Sequence, residues 1–505
     1  MSRGALALTT SILFRRARLD PAGSSAQDVL VAAGQIAAVG DVEARTGAVE
    51  VVNLDGRYLL PGLWDRHVHF EQWAQVRTRL DVSGAPAARD VAHMVAVHVA
   101  GREPNGDTPV VGYGFRDALW PDAPHREVLD AACPGAGPVV LIGADLHSAW
   151  LNTEALRRFG HAGHATGLLR EEAAMNVIGA LRDAADDVVD AWCLAAGRAA
   201  AARGVVGIVD VEKPWSLPAW RRRIAAGNRT LRVTSAVWPE RFDDVIALDL
   251  HTGDIIDETY GQLTVGPLKV ITDGSLNTRT ACCNDAYAGT ADAGDERGVL
   301  PLSVDELSRL MRRAKATGFE CAIHAIGDRA NAIALQAFAR TGACGSIEHA
   351  QFLDDADIGR FAQLSVTASV QPEHLLDDRD VADRYWAGRT RRAFPFRSLL
   401  DAGAQLTFGS DAPVAPLDPW LAIAAAVHRT RDERPRWHPE QEITVAEAMA
   451  ASMPTRRGGL TLRAGDVADL VVLDRDPFTC DPKALRTMPV AATMLGGDWT
   501  HRATI

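Results

Sequence analysis

Ten short apolar runs, separated by stretches of helical character, set the strongest limit on what this chain can fold into. They lie at 68–70, 110–113, 139–143, 205–211, 231–237, 268–272, 321–325, 345–348, 365–370 and 406–409. Strand-like runs alternating with helical ones are the pattern of an α/β fold with a parallel sheet. Eight of them suffice for a (β/α)8 TIM-type barrel, which takes about 250 residues before insertions. The runs near Val110 and Leu231 are read as the two outside the barrel. Helical fillers are expected at 188–202 and 304–317, the second opening at Ser303 with Glu306 three residues on, a capping-box pattern.

The two chain ends read differently. Short β-rich pieces at 11–17, 28–32, 36–39, 51–54 and 57–60 alternate with Gly, Asp and Asn turns, and 468–474 and 491–495 resemble them. Neither end has enough strands to cover both faces of a sheet. Residues 1–60 and 459–505 are therefore expected to form one composite β-sandwich, and 61–458 the barrel with its insertions.

Polar residues fall where barrel chemistry is placed, at the C-terminal ends of strands. The run from Leu59 to Phe70 closes with His67-Val68-His69, and alternate strand residues share a face, so the two imidazoles would stand about 7 Å apart along the strand. His324 ends one apolar run and His349 follows 25 residues later, the distance of one helix and one strand. Asp411 closes Gly409-Ser410-Asp411. Each has a plainer reading, as a core histidine or a turn aspartate. Lys269 is harder to explain so, since it sits in the apolar run Leu268-Lys269-Val270-Ile271, where a free ammonium is costly to bury. It is one of only four lysines, and an amine, unlike a guanidinium, can add carbon dioxide to become a metal-bridging carbamate.

The net charge of −12 argues against nucleic acid or an anionic membrane as partner, leaving a small-molecule substrate. No run reaches the 18 or so apolar residues of a membrane span. The stretch from Ala5 to Phe14 is broken by Thr9, Thr10 and Ser11, with arginines after it rather than before, unlike a signal peptide. Seven scattered cysteines without a Cys-x-x-Cys spacing suggest reduced thiols in a cytoplasmic protein.

Taken together, Pro61-Gly62-Leu63-Trp64-Asp65-Arg66-His67-Val68-His69, the strand lysine, the two later histidines and Gly409-Ser410-Asp411 resemble the metal-dependent amidohydrolase superfamily. Asp145-Leu146-His147-Ser148-Ala149-Trp150, Lys269-Val270-Ile271-Thr272-Asp273-Gly274, His324-Ala325-Ile326-Gly327-Asp328, Ile347-Glu348-His349-Ala350-Gln351 and Val370-Gln371-Pro372-Glu373-His374 narrow the likeness to the branch that includes N-substituted formamide deformylases.

The resemblance implies two divalent metal ions. His67 and His69 would hold one, His324 and His349 the other, with carboxylated Lys269 as the bridge; Asp411 would complete the first site and serve as general base. Zinc suits such ligands best, with manganese or iron also compatible. The residues admit one metal or two. His147, Arg279, His374 and Trp150 are the substrate-side candidates, and Trp64, Trp73 and Trp120 could help wall an apolar pocket. Asn277-Thr278 stands where a Gly-Ser is more typical of the family. The implied activity is hydrolysis of an amide-type carbon–nitrogen bond, N-formyl or N-acyl, by metal-activated water. Ester or carbamate hydrolysis, deamination of a heterocycle, and a non-catalytic metal-binding scaffold are the alternatives. Barrels of this kind often self-associate, so a homo-oligomer is compatible with the sequence.

Overall fold

A computed structural model describes residues 11–21, 25–42, 49–101, 108–181, 184–213, 215–289, 297–454 and 459–503. Part of the N-terminal apolar run, Ala5 to Thr10, and residues 455–458, where the sequence reading ends the barrel, lie outside them.

The centre is an eight-stranded parallel sheet: β1 (Leu63–Val68), β2 (Val205–Asp210), β3 (Arg232–Val237), β4 (Leu263–Ile271), β5 (Cys321–Ala325), β6 (Gly345–His349), β7 (Thr367–Val370) and β8 (Leu406–Phe408). Each strand pairs in parallel with the next. The ring closes just beyond β8, where Val68 bridges Ala412, Asp411 N–H donates to the His67 carbonyl at 2.7 Å and His69 N–H to that of Ala412 at 2.8 Å. β2 and β5 are buried along their whole length, which is why they read as unbroken apolar runs: a parallel strand is covered on both faces. The helix Val304–Ala316 opens with the expected capping box, Ser303 Oγ accepting from Glu306 N–H and Glu306 from Ser303 N–H.

Two expectations are corrected. The run near Leu231 is a barrel strand, β3, whereas Val139–Gly143 is not. Val139–Gly143 pairs in parallel with Val110–Phe115 in a separate five-stranded sheet, with Leu80–Asp81 on one side and Ser148–Leu151 and Leu168–Arg170 on the other. This sheet is an insertion between β1 and β2, with its own core around Val91, Val95, Phe115, Leu141 and Trp150. An apolar run reports that a strand is buried, not which sheet buries it. The second correction concerns β1, which stops at Val68; His69 lies past its end, at the N-terminus of the helix Phe70–Val76.

The chain ends form two four-stranded sheets. One contains Gln35–Gly40, Gln27–Ala32, Ser11–Ala17 and Val49–Asn53, the other Asp498–Arg502, Val490–Leu495, Leu470–Leu473 and Tyr58–Pro61. Their inner faces share one core, with Phe14, Val29 and Val52 from the first and Leu59, Val472 and Met494 from the second. Gly62 separates Tyr58–Pro61 from β1, and a side chain there would meet Val206 at 2.3 Å, so only glycine lets the chain step from the sandwich into the barrel. Gly207 is as tight, against a ring, since a Cβ would lie 2.3 Å from Trp64 on the neighbouring strand. Gly207→Ala is expected to cost about 1–3 kcal/mol by overpacking. Urea unfolding checks it; an unchanged midpoint would show that Trp64 moves aside freely. Among the described residues no helix is long and apolar enough to cross a membrane, and all seven cysteines are free thiols.

Candidate active site

The strand ends of the barrel surround a cavity of about 420 Å³ lined by His67, His69, Lys269, His324, His349, His374 and Asp411, and by His147 from the inserted sheet. Parallel pairing sets the heights: Ile271 of β4 lies beside His324 of β5, and Ala325 beside His349 of β6. At His349 φ is +73° and at Asp411 +56°, a region non-glycine residues enter at a cost of about 1–3 kcal/mol each. At His349 this ends the extended strand, where neighbouring side chains would point to opposite faces, and Glu348 and His349 both approach His67.

The contacts are close. Asp411 Oδ1 is 3.5 Å from His67 Nε2 and 3.4 Å from His69 Nε2, and its Oδ2 is 4.0 Å from His374 Nε2. Lys269 Nζ is 3.2 Å from His67 Nε2. The rings of His324 and His349 are 4.4 Å apart and those of His67 and His349 5.2 Å. Among the described residues two sets have donor atoms within 4.8 Å of one another, His67, His69 and Asp411, and His349, His374 and Asp411. The first is the expected first set. The second brings in His374, a substrate-side candidate by sequence, while His324 stands beside His349 with its Nε2 3.4 Å from Asp273.

Burial governs the charges. It lowers the pKa of Lys269 against the pull of Glu348 and Asp411, and drives His324 and His349 well below 6.5, with the nearby Lys269 adding to the shift for both. Burial would raise Asp411, but His67, His69 and His349 hold it well below the usual carboxylate range. Neutral imidazoles facing an ionised carboxylate are the protonation states metal binding requires.

The residues fit a cation. His69 Nδ1, His324 Nε2, His349 Nδ1 and His374 Nε2 are buried and have no hydrogen-bond partner among the described residues. Buried polar atoms are normally paired, so such a concentration around one carboxylate is what a ligand set looks like.

Several supporting residues carried no assigned role in the sequence reading. Glu348 Oε2 is 2.5 Å from His67 Nδ1, the carboxylate partner that fixes the tautomer of a ligating histidine. Asp65 accepts from the N–H groups of His67 and Ser410, tying β1 to the loop after β8; burial pushes it up to about 6. Asp273 accepts from the N–H groups of Ile326, Gly327 and Cys282, and burial pushes it up to about 7. All three stand inside the quoted motifs, but nothing marks their partners along the sequence.

Other candidates fall away from the cavity. Trp150 is fully buried in the core of the inserted sheet, its ring edge-on to Phe115. Arg279 turns to Tyr385, with its Nη1 3.3 Å from the phenol oxygen and its guanidinium over the ring. Trp64, Trp73 and Trp120 are absent from the lining; the tryptophan there is Trp238, joined by Leu146, Met175 and Ile178 as apolar wall.

His147 Nδ1 is 2.8 Å from Glu171 Oε2. Burial would lower the imidazole, but Glu171 raises it to about 9; burial would raise Glu171, but His147 and two threonines bring it to about 2. The histidine's share of the stability is complete below its ordinary 6.5 and lost as pH rises through about 9. The glutamate's share is present above 4.5 and lost as pH falls through about 2. Glu171→Gln is thus expected to destabilise most between those ordinary values, with the difference from wild type shrinking toward alkaline pH. Urea titrations across pH check this, and a pH-independent difference would contradict it.

The sequence pattern of the amidohydrolase family matches residues 50–501. A protein named LONG AFTER FAR-RED 3 from Arabidopsis thaliana is 29% identical over 89% of this chain and 83% of its own. An N-substituted formamide deformylase from Arthrobacter pascens is 26% identical over 96% and 97%. A crystal structure of an uncharacterized metal-dependent hydrolase from Pyrococcus horikoshii superposes with a TM-score of 0.76 at 25% identity, covering 94% of this chain and 99% of that one. With a barrel whose strand ends carry the histidines, lysine and aspartate described, and a family match over nearly its whole length, the chain belongs to the amidohydrolase family.

Proposed function

We propose that the protein is a divalent-metal hydrolase that cleaves an amide-type carbon–nitrogen bond, N-formyl or N-acyl, in a small molecule. The observation that carries this is the convergence of unpaired buried imidazole nitrogens, a buried lysine and an ionised aspartate on one cavity. His67, His69 and Asp411 would hold one cation, and His349 with His324 or His374 a second, with carboxylated Lys269 between them. A bound divalent cation, zinc being best suited to this donor set, acidifies water and polarises a carbonyl oxygen.

The chain's own groups supply the rest. Asp411 is kept ionised and sits among the candidate ligands, where it can take a proton from water and return it to the departing amine. His147, which also lines the cavity, can donate to the substrate oxygen. Leu146, Met175, Ile178 and Trp238 add apolar surface to the lining and suit an apolar substituent on the substrate. The likeness to an N-substituted formamide deformylase supports the choice of bond.

Metal content per chain, measured by plasma mass spectrometry on protein purified without chelator, tests the site, with about two ions expected for a bridged pair. A panel of N-formyl and N-acyl amines against esters and aminated rings then tests the bond. No metal after supplementation would sink the proposal, and turnover of esters or aminated rings alone would transfer it to another bond.

A further inference from the structure

We propose that Glu171 is a positioning residue for hydrolysis: it holds the His147 ring so that Nε2 faces the cavity lined by the candidate metal ligands, as a donor to the substrate's carbonyl oxygen. This rests on the hydrolase reading above and adds to it a part played by the inserted sheet.

His147 lies on the turn between Val139–Gly143 and Ser148–Leu151 of that sheet. Its backbone is fixed on both sides. His147 N–H donates to Asp145 Oδ1 at 3.1 Å, and the His147 carbonyl accepts from Glu171 N–H at 2.8 Å. The ring is fixed as well, through Nδ1 on Glu171 Oε2. Nε2 is then the ring nitrogen left over, and no group among the described residues takes it. The ring stands 6.3 Å from that of His324, centroid to centroid, beside the candidate ligands.

Glu171 is itself clamped. Its other oxygen, Oε1, accepts from Thr280 Oγ1 at 2.6 Å and from Thr278 Oγ1 at 2.9 Å. Both threonines belong to the loop that follows β4, the strand carrying Lys269. Ser275 and Asn277 of the same loop donate to Asp145 Oδ2 at 2.8 and 3.2 Å. Four side chains of one barrel loop thus grip the two carboxylates that orient His147. Glu171 adopts φ +51°, an unfavourable conformation for a non-glycine residue, at the first position of the helix Glu171–Ala180. That helix also brings Met175 and Ile178 to the cavity. Thr278 stands at the Asn277-Thr278 step, where the chain departs from the more typical Gly-Ser. Thr278 takes the serine position of that pair and keeps a hydroxyl that donates to Glu171, while Asn277 takes the glycine position and adds the amide that donates to Asp145.

The test is a double-mutant cycle on N-butylformamide and N-phenylformamide, with metal content measured on every variant. Glu171→Ala is expected to lower kcat about 10- to 100-fold with metal content unchanged, on the scale found when the carboxylate that orients a metal-ligating histidine is removed. Glu171→Asp is expected to recover part of the loss. In a His147→Ala background, Glu171→Ala is expected to do nothing further, because residues acting as a unit are not additive. Full additivity, or wild-type kinetics for Glu171→Ala, would overturn the proposal. A second readout needs no turnover. In histidine-labelled protein the His147 Nδ1 proton, assigned by its loss in His147→Ala, is expected to be protected from exchange in wild type and to vanish in Glu171→Ala. If wild type hydrolyses neither amide nor any other member of the panel, the hydrolase reading fails, and the proton signal still decides whether Glu171 holds the ring; its persistence in Glu171→Ala would refute that.

Discussion

Asp411→Asn is expected to lower kcat by about 10²- to 10⁴-fold, the usual contribution of a positioned general base. The substitution keeps the size of the side chain and one oxygen for a cation, and it removes the negative charge that His67, His69 and His349 stabilise. KM is expected to change much less than kcat, because proton transfer belongs to the transition state rather than to ground-state binding. Steady-state kinetics on the best panel substrate, with metal content measured in parallel, separate loss of the base from loss of the ion. Near-normal kcat at full metal content would remove Asp411 from the chemistry.

Lys269→Ala is expected to lower metal content and to reduce activity by at least about 10- to 100-fold, as for other groups that support a metal site. The amine lies 3.2 Å from His67 and is nearly inaccessible to water. A buried ammonium beside imidazoles would repel a cation; a carbamate on the same nitrogen would attract one. Added short carboxylates, which fit the space vacated and offer the same two oxygens, are expected to restore part of the activity. Unaltered metal content in Lys269→Ala would rule out the bridge. Stability of the metal-free protein provides an independent sign. Burial lowers the pKa of Lys269, so folding is penalised wherever the unfolded chain holds its proton, below the ordinary 10.5. Lys269→Met is therefore expected to be more resistant to urea at neutral pH, with the advantage fading as pH approaches 10.5. A residue whose removal strengthens the fold and weakens the activity is retained for function.

The ligand candidates were legible because strand ends are marked by the chain itself: an apolar run stops and a histidine, lysine or aspartate follows. His324, His349 and Asp411 needed only that rule. The carboxylates that orient the histidines were not legible. Glu348 meets His67, and Glu171 meets both His147 and Thr278, through pairings that exist only once the strands are registered. The same limit misassigned Val139–Gly143, whose residues are as apolar as any barrel strand but whose parallel neighbour is Val110–Phe115. It also placed Trp150 and Arg279 at the substrate, since tryptophan and arginine serve cores and ring contacts equally well.

The seam between the first and last barrel strands is held by backbone bonds of His67, His69, Asp411 and Ala412. Three of these residues are the proposed first ligand set, so completing the ring and assembling the set are one event. Contacts between segments so distant along the chain form slowly, because the loop entropy must be overcome first. An intermediate with seven strands in place would have a hydrophobic core but no first metal site. A cation that recognises only the closed ring adds its binding free energy to that last step. The ion would then act as a clasp as well as a reagent.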